Sequence, residues 1–364
     1  MTHVADVHNL TELTYRLVTI PSVSYQEEAV ADFVEDLLSR YSFLQIQRID
    51  NNVVVTINRG ANHKILLAGH LDTVPIAGIE PSLASGAVAG RGSVDMKGGL
   101  AVMIKLAAEA EDFPVDTAFI FYAKEEVKRL DSGLLEIERV APELLKGDLA
   151  ILLEPTNGHV ELGCQGVMRV VLTMGGKSAH SARPWTGVNA IHRIAKVIER
   201  VSSFGRREIL VDGLSYAESL QVVKVEGGTG KNVVPDKASA VISYRFAPNI
   251  DTDSAHAFLH ETFSDILDDG FGDEVIIEEA APSAKPHLSQ AGIQHLVNLT
   301  GREPVAKLGW TDVAFFAERG IPAANFGPGN AELSHGPHEV VESKELDNCY
   351  ANIRQFLFDL KTDH

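Results

Sequence analysis

Cysteine and long apolar runs are scarce in this sequence. Its 364 residues include only two cysteines, Cys164 and Cys349, which lie too far apart to indicate a disulfide framework or a thiolate zinc site. No apolar run approaches the roughly 20 residues of a membrane-spanning helix. Residues 1–17 are polar and lack the apolar core of a secretory signal. We therefore expect a protein of the reducing cytoplasm.

Nucleotide-binding motifs and excess positive charge are lacking too. The run GRGSVDMKGG contains neither G-x-G-x-x-G nor a Walker lysine followed by serine or threonine, and GGTGKN does not have the Walker spacing. The formal net charge is −18, and a chain this acidic repels nucleic acids and anionic membranes. We expect neither as a partner.

The order of apolar segments predicts an α/β fold with two domains. Strands and helices alternate at first, which is typical of β-α-β units and of a mostly parallel sheet covered by helices on both faces. These strands are 52–58, 64–68, 117–122 and 149–153, and the helices are 27–38, 97–110 and 132–145. A strand at 323–326 and a helix at 345–360 return to the same pattern near the end of the chain.

The middle of the chain has a different order, β-α-β-β-α-β, which is the ferredoxin-like pattern. Its strands are 167–174, 220–225, 238–246 and 274–278, and its helices are 188–201 and 252–267. We therefore predict a discontinuous α/β domain, residues 1–167 and 282–364, with an inserted ferredoxin-like α+β domain, residues 168–281.

Histidine and carboxylate side chains follow the predicted strands of the first domain. They are His70, Asp72, Glu125, Glu126 and Glu154, joined by Asp95 before a helix and by His335 in a C-terminal loop. Because the carboxyl ends of parallel strands meet at one edge of a sheet, we expect these side chains to lie together. Unpaired, so many carboxylates would raise each other's pKa values, a penalty that one or two divalent cations would remove.

Histidine and carboxylate ligands without cysteine are typical of catalytic zinc, for which cobalt or manganese can substitute. Two cations about 3.5–4 Å apart need a bridging carboxylate and about two further ligands each. The five residues that supply this number are His70, Asp95, Glu126, Glu154 and His335. Asp72 is then placed to hold the other imidazole nitrogen of His70, and Glu125 stays uncoordinated as a general base.

Each of these residues also has an ordinary structural interpretation. A His-x-Asp after a strand is commonly a hydrogen-bonded loop, and Asp95 is equally placed to cap a helix. Adjacent acids such as Glu125 and Glu126 are commonly solvated. The joint placement favours the metal hypothesis, since chance seldom gathers so many such groups beyond strands on one edge.

Six motifs span nearly the whole chain: GHLDTVP, GRGSVDMKGGLA, EE after an apolar strand, LEPT, GGKSAHSARPWTGVNAI and LSHGPHE. In this order they resemble the zinc-dependent aminoacylase/carboxypeptidase G/succinyl-diaminopimelate desuccinylase family. The resemblance implies two zinc ions bridged by Asp95, with His70 and Glu154 completing one site and Glu126 and His335 the other. It implies that Glu125 is the general base and acid, that Asp72 orients His70, and that the Asp95–Met96 peptide bond is cis.

The inserted segment resembles the lid and dimerisation domain of that family. His180 matches a histidine that reaches the neighbouring subunit's active site and helps to stabilise the oxyanion. Arg245 matches an arginine that binds a substrate carboxylate, and Asn232 and Thr311 match positions near the substrate. The resemblance therefore implies a homodimer that acts on a small anionic N-acyl amino acid.

Within the family, GCQGVMR, KNVVPDKASAVISYRFAP and GWTDVAFF are most similar to actinobacterial-type succinyl-diaminopimelate desuccinylases. The implied reaction is hydrolysis of N-succinyl-L,L-diaminopimelate to succinate and L,L-diaminopimelate, in lysine and cell-wall precursor biosynthesis. Two features depart from relatives: residues 163–166 replace an arginine-rich segment of the other bacterial type, and Val127 stands where many have glycine. Acetylornithine deacetylase, general aminoacylase and metallodipeptidase activities remain alternatives, as does a non-catalytic metal-binding scaffold.

Overall fold

The structure, a computed structural model, describes residues 6–75, 78 and 80–360. It divides into two compact units. The first comprises Met1–Leu162, His287–Val305 and Phe315–His364, and the second comprises Gly163–Pro286 and Ala306–Ala314. The domain boundaries at residues 168 and 281 stay a prediction.

Strands and helices are numbered separately in chain order. The strands are β1 (Gln45–Ile49), β2 (Asn52–Ile57), β3 (Lys64–His70), β4 (Ser82–Ala84), β5 (Ala87–Ala89), β6 (Asp116–Tyr122), β7 (Leu149–Pro155), β8 (Glu161–Leu162), β9 (Gly166–Gly175), β10 (Ala179–His180), β11 (Arg207–Val211), β12 (Leu214–Gly227), β13 (Val233–Val234), β14 (Lys237–Phe246), β15 (Glu274–Ala281), β16 (Val305–Ala306), β17 (Ala323–Gly327) and β18 (Val340–Glu342). The helices are α1 (Leu10–Thr19), α2 (Glu28–Leu38), α3 (Gly98–Ala108), α4 (Gly133–Val140), α5 (Ala190–Phe204), α6 (Thr252–Phe263), α7 (Ala291–Thr300), α8 (Val313–Ala317) and α9 (Ser343–Asp359).

The first unit is built on an eight-stranded sheet with the order β1-β2-β6-β3-β7-β17-β8-β16. The four central strands, β6, β3, β7 and β17, run parallel, while β1, β2 and β8 pair antiparallel at the flanks. Every residue of β2, β6, β7 and β17 is buried, which explains why apolar residues predominate in these strands. The predicted α/β class with a mostly parallel sheet is confirmed.

Helix α3 approaches the sheet closely because it begins with two glycines. A Cβ added at Gly99 would collide with the carbonyl oxygen of Leu153 in β7, and one at Gly98 would meet the carbonyl oxygen of Ser93. The helix therefore packs its buried face directly on the parallel strands. This contact fixes the start of α3 against the end of β7.

The second unit contains a five-stranded antiparallel sheet with the order β11-β12-β14-β9-β15. Its chain order, β9-α5-β12-β14-α6-β15, is the predicted ferredoxin-like arrangement. Burial alternates along β9 and β14, and their buried side chains pack with those of α5 and α6. One face of this sheet is thus covered by helices.

Several elements differ from the sequence-based expectations. The predicted helix over 132–145 ends at Val140, because Ala141 precedes Pro142 and adopts an extended φ of −148°. Strand β11 was not predicted, although Asp212 and Gly213, both with positive φ, form the tight turn of its hairpin with β12. Helices α1 and α7 were also missed. Among the described residues, no helix is both long enough and apolar enough to cross a membrane.

Replacing Gly99 with alanine tests the packing of α3. Alanine favours a helix interior over glycine by about 1 kcal/mol, so a net loss of stability would report the collision with Leu153. We expect the free energy of unfolding in urea to fall by about 1–3 kcal/mol. Gly309→Ala is the control, because an added Cβ there meets nothing closer than 3.9 Å. Equal stability of the two variants would contradict this account.

Candidate metal centre

Five predicted ligands converge at the carboxyl ends of the parallel strands in the first unit. His70 ends β3, Glu154 lies near the end of β7, Glu126 follows β6, Asp95 precedes α3, and His335 lies between β17 and β18. Among the described residues, histidine and carboxylate side chains form three groups whose ligand atoms all lie within 4.8 Å of one another. Two of the groups share Asp95: His70, Asp95 and Glu154, and Asp95, Glu126 and His335. The third joins His70 with Glu125 and Glu126.

The two oxygens of Asp95 face different histidines. Its Oδ1 lies 3.1 Å from Nε2 of His70, and its Oδ2 lies 3.3 Å from Nε2 of His335. Glu154 Oε1 is 3.8 Å from the same nitrogen of His70, and Glu126 Oε1 is 2.7 Å from that of His335. Each group thus offers one imidazole and two carboxylates, with Asp95 placed to bridge them.

The electrostatics of the site favour positive charge. The carboxylates of Asp95 and Glu126 accept hydrogen bonds from His335 and raise its pKa to about 10. Burial opposes the charging of His70, but its contacts with Asp72 and Asp95 raise its pKa well above the usual value. Burial likewise opposes ionisation of Asp95, yet the two histidines hold its pKa well below its ordinary range. Groups that hold protons this strongly are suited to bind divalent cations, because a divalent cation contacts the same atoms and carries more positive charge than a proton.

Asp72 is buried and fixes the turn after β6. Its carboxylate accepts the N–H of Glu125 at 2.9 Å, the N–H of Glu126 at 3.0 Å and the hydroxyl of Ser24 at 2.7 Å. Burial works against its ionisation, whereas the adjacent His70 lowers its pKa. The Asp72 side chain therefore holds Glu125 and Glu126 in place through their main chain.

The imidazole of His70 is oriented mainly by the main chain of Asp72. Nδ1 of His70 lies 2.9 Å from the carbonyl oxygen of Asp72 but 3.6 Å from its carboxylate. Because a carbonyl oxygen can only accept, Nδ1 carries a proton and Nε2 is left to face Asp95. The sequence-based interpretation assigned this orienting contact to the side chain.

Two residues near the centre were missed by sequence reasoning, Arg91 and Glu339. Glu339 accepts the N–H groups of Val94 and Asp95, and it pairs with Arg91. Both residues lie inside motifs already singled out, GRGSVDMKGGLA and LSHGPHE, but nothing in their spacing indicates that they meet. The Asp95–Met96 peptide bond in this segment is cis, as the resemblance implies.

The remaining predicted residues lie in the second unit, apart from Glu125, which is half-buried beside Glu126. His180 lies in β10, which pairs with β13, and the N–H of Ser181 donates to the carbonyl of Asn232 at 2.9 Å. Thr311 is buried, and its carbonyl accepts from the thiol of Cys164 at 3.8 Å. His180 and Asn232 thus share one ribbon, whereas Thr311 packs beside the 163–166 segment.

Arg245 lies in β14 on the sheet face away from the helices, and it is half-buried. Burial, and the neighbouring Arg169, lower its pKa. Arg169 is paired with Glu279, but among the described residues the guanidinium of Arg245 has no ion-pair partner. Its donors are therefore available to an anion.

The model for Peptidase family M20/M25/M40 matches residues 66–359, so the chain belongs to that family and is a metal-dependent hydrolase. It is 42% identical over 352 residues to the succinyl-diaminopimelate desuccinylase of Corynebacterium glutamicum, covering 95% of each chain.

Solved structures of the family share the fold at low sequence identity. Aminopeptidase PepT from Bacillus cereus aligns with a TM-score of 0.78 at 21% identity, over 97% of this chain and 98% of that one. The YXEP protein of Bacillus subtilis, a dinuclear metal binding peptidase from the M20 family, aligns with a TM-score of 0.71 at 16% identity, over 97% and 98% of the two chains. Both alignments extend over nearly the full length of each chain.

Asp72→Asn tests the turn after β6. An amide presents one oxygen instead of two to the three donors, so the Glu125–Glu126 turn should shift. We expect metal affinity to fall by about 10- to 100-fold in a competition titration with a chromophoric chelator.

Asp116→Asn is the matched control for this prediction. Asp116 is a buried aspartate at the opposite end of β6, where it also accepts two main-chain N–H groups, from Arg59 at 2.7 Å and Gly60 at 3.2 Å. We expect it to lose stability but not metal affinity. Unchanged affinity in Asp72→Asn would show that the turn is fixed by other contacts.

Proposed function

We propose that this protein hydrolyses N-succinyl-L,L-diaminopimelate to succinate and L,L-diaminopimelate in the cytoplasm, as a homodimer with two zinc ions in each subunit. The observation that carries the proposal is the position of Asp95 between two histidine-carboxylate groups. The Corynebacterium glutamicum relative, whose name specifies this substrate, supports the choice of acyl group at 42% identity over 95% of the chain.

The donor set supports zinc. His70, Asp95 and Glu154 would hold one ion, and Asp95, Glu126 and His335 the other, with imidazole nitrogen and carboxylate oxygen as ligands. Bound zinc would acidify water and polarise the acyl carbonyl. Cobalt or manganese would serve in the same positions.

Glu125 would act first as the general base and then as the general acid. As the water oxygen bonds to the acyl carbon, a carboxylate oxygen of Glu125 takes the water's proton. The carbon–nitrogen bond then breaks, and Glu125 returns that proton to the leaving amine. Its main-chain N–H, held by Asp72 at 2.9 Å, keeps the side chain next to the ligand Glu126.

His180 and Arg245 would bind the anionic parts of the reaction. Nδ1 of His180 accepts the N–H of Ala182 at 3.0 Å, which leaves Nε2 as the ring nitrogen that can donate. That nitrogen is then a donor for the oxyanion in the neighbouring subunit. Arg245 would clamp a substrate carboxylate, with Asn232 and Thr311 nearby as weaker contributors.

The acyl specificity is tested by steady-state kinetics on one metal-loaded preparation. We expect kcat/KM for N-succinyl-L,L-diaminopimelate to exceed that for N-acetylornithine and for dipeptides. Preference for one of the other compounds would reassign the substrate but keep the hydrolase. A fully loaded protein that cleaves none of them would favour a non-catalytic role.

Mixed dimers test the roles of Glu125 and His180 together. We expect Glu125→Gln to lower kcat by about 100- to 10,000-fold while both zinc ions remain bound. If His180 acts in the neighbouring subunit, co-expression of Glu125→Gln with His180→Ala chains restores one intact site per mixed dimer, or about a quarter of wild-type activity in a random mixture.

The control for these variants is Glu143→Gln, which alters an exposed glutamate of the same unit and should leave kcat unchanged. Dimers that contain only Glu125→Gln chains, or only His180→Ala chains, should have almost no activity. If the mixed dimers are also inactive, His180 does not act across the subunit boundary.

A further inference from the structure

Arg91 and Glu339 form a buried ion pair next to the metal centre. Nη1 of Arg91 lies 2.7 Å from Oε2 of Glu339, and the two side chains are only 5% and 0% exposed. Neither residue belongs to the two ligand groups. Removing both charges from water is costly, so the pair is a poor device for stability alone. A role in holding neighbouring groups is the better explanation.

Glu339 holds the main chain around the bridging aspartate. Its Oε1 accepts the N–H groups of Val94 and Asp95, each at 3.1 Å. Two successive N–H groups on one oxygen fix the plane of the intervening peptide. Glu339 thus holds the main chain that carries the Asp95 carboxylate, which faces both histidines.

Arg91 holds the other loop. Its Nη2 donates to the carbonyl oxygen of His335 at 3.2 Å, while Nη1 stays on Glu339. His335 has a left-handed φ of 62°, which a residue with a side chain seldom adopts without outside support. The hydrogen bond from Arg91 supplies such support at the main chain of the ligand itself.

Arg91 and Glu339 are 248 positions apart in the sequence, and a short sheet brings them together. Val340 and Ala89 are partners in the antiparallel pairing of β18 with β5, and the N–H of Gly90 donates to the carbonyl of Glu339 at 3.1 Å. Arg91 and Glu339 therefore emerge side by side from neighbouring strands.

We propose that the Arg91–Glu339 pair is a positioning device that sets the two metal sites relative to each other. Glu339 fixes Asp95, which both sites share, and Arg91 fixes His335, which belongs to one site only. The inference rests on the proposed two-metal centre, and it predicts different effects for the two residues.

The test is a titration of chelator-stripped protein with Co²⁺, in which the visible d–d absorption is recorded as each equivalent of Co²⁺ binds. Arg91→Lys keeps the charge opposite Glu339 but loses the planar fork, so the bond to His335 is lost. We expect one equivalent to bind about 10- to 100-fold more weakly, with the other unchanged. Glu339→Gln disturbs the shared Asp95, so both equivalents should weaken and both spectra should change.

The controls are Arg319→Lys and Glu138→Gln, the same substitutions in another Arg–Glu pair of the first unit. They should leave both equivalents and their spectra as in the wild type. Unfolding of the metal-free variants in urea separates the alternatives: a merely structural pair would lower stability without an unequal effect on the two equivalents, and that result would overturn the proposal.

Two further outcomes are decisive. If Glu339→Gln does not fold, the result for Arg91→Lys decides alone. If Arg91→Lys then binds both equivalents of Co²⁺ as tightly as the wild type, the proposed positioning role is wrong. A wild-type protein that takes up fewer than two equivalents would overturn the two-metal centre itself, a failure visible before any variant is compared.

Discussion

The carboxylate of Asp95, shared between two imidazoles, is the contact on which the rest of the structure depends. Its oxygens lie 3.1 Å from His70 and 3.3 Å from His335, and Glu154 and Glu126 add negative charge on either side. Left to themselves these acids repel one another, so their convergence has to be imposed by the fold. The parallel sheet imposes part of it by bringing three strand ends to one edge, and main-chain hydrogen bonds impose the remainder.

Main-chain groups do most of the positioning around that contact. Asp72 and Glu339 each accept two successive N–H groups, one pair after β6 and the other before α3. Lys124, which precedes Glu125, and the proposed ligand His335 have left-handed φ values of 63° and 62°. Such backbone is unfavourable for residues with side chains and persists where surrounding contacts hold it, which is typical of functional loops.

The sequence predicts what depends on local order and misses what depends on distant pairing. Strands β3, β6 and β7 are recognisable because burial on both faces makes their central residues an apolar run, and the polar residues at or after their carboxyl ends therefore indicate the site. Arg91 and Glu339 carry no such signal, since only the pairing of β5 with β18 brings them together. Strand β11 is exposed at the sheet edge and lacks the clear alternation of β9, so its residues resemble a loop.

The position of β17 in the sheet has a consequence for synthesis on the ribosome. This strand fills the place beside β7, yet it is made after the entire second unit. Until Ala323–Gly327 emerges, the nascent sheet exposes the unpaired edge of β7, a buried and mainly apolar strand that can recruit other chains. A chain truncated before this strand would keep that edge open and would also lack His335, so premature termination should yield an aggregating product that cannot complete its second cation site.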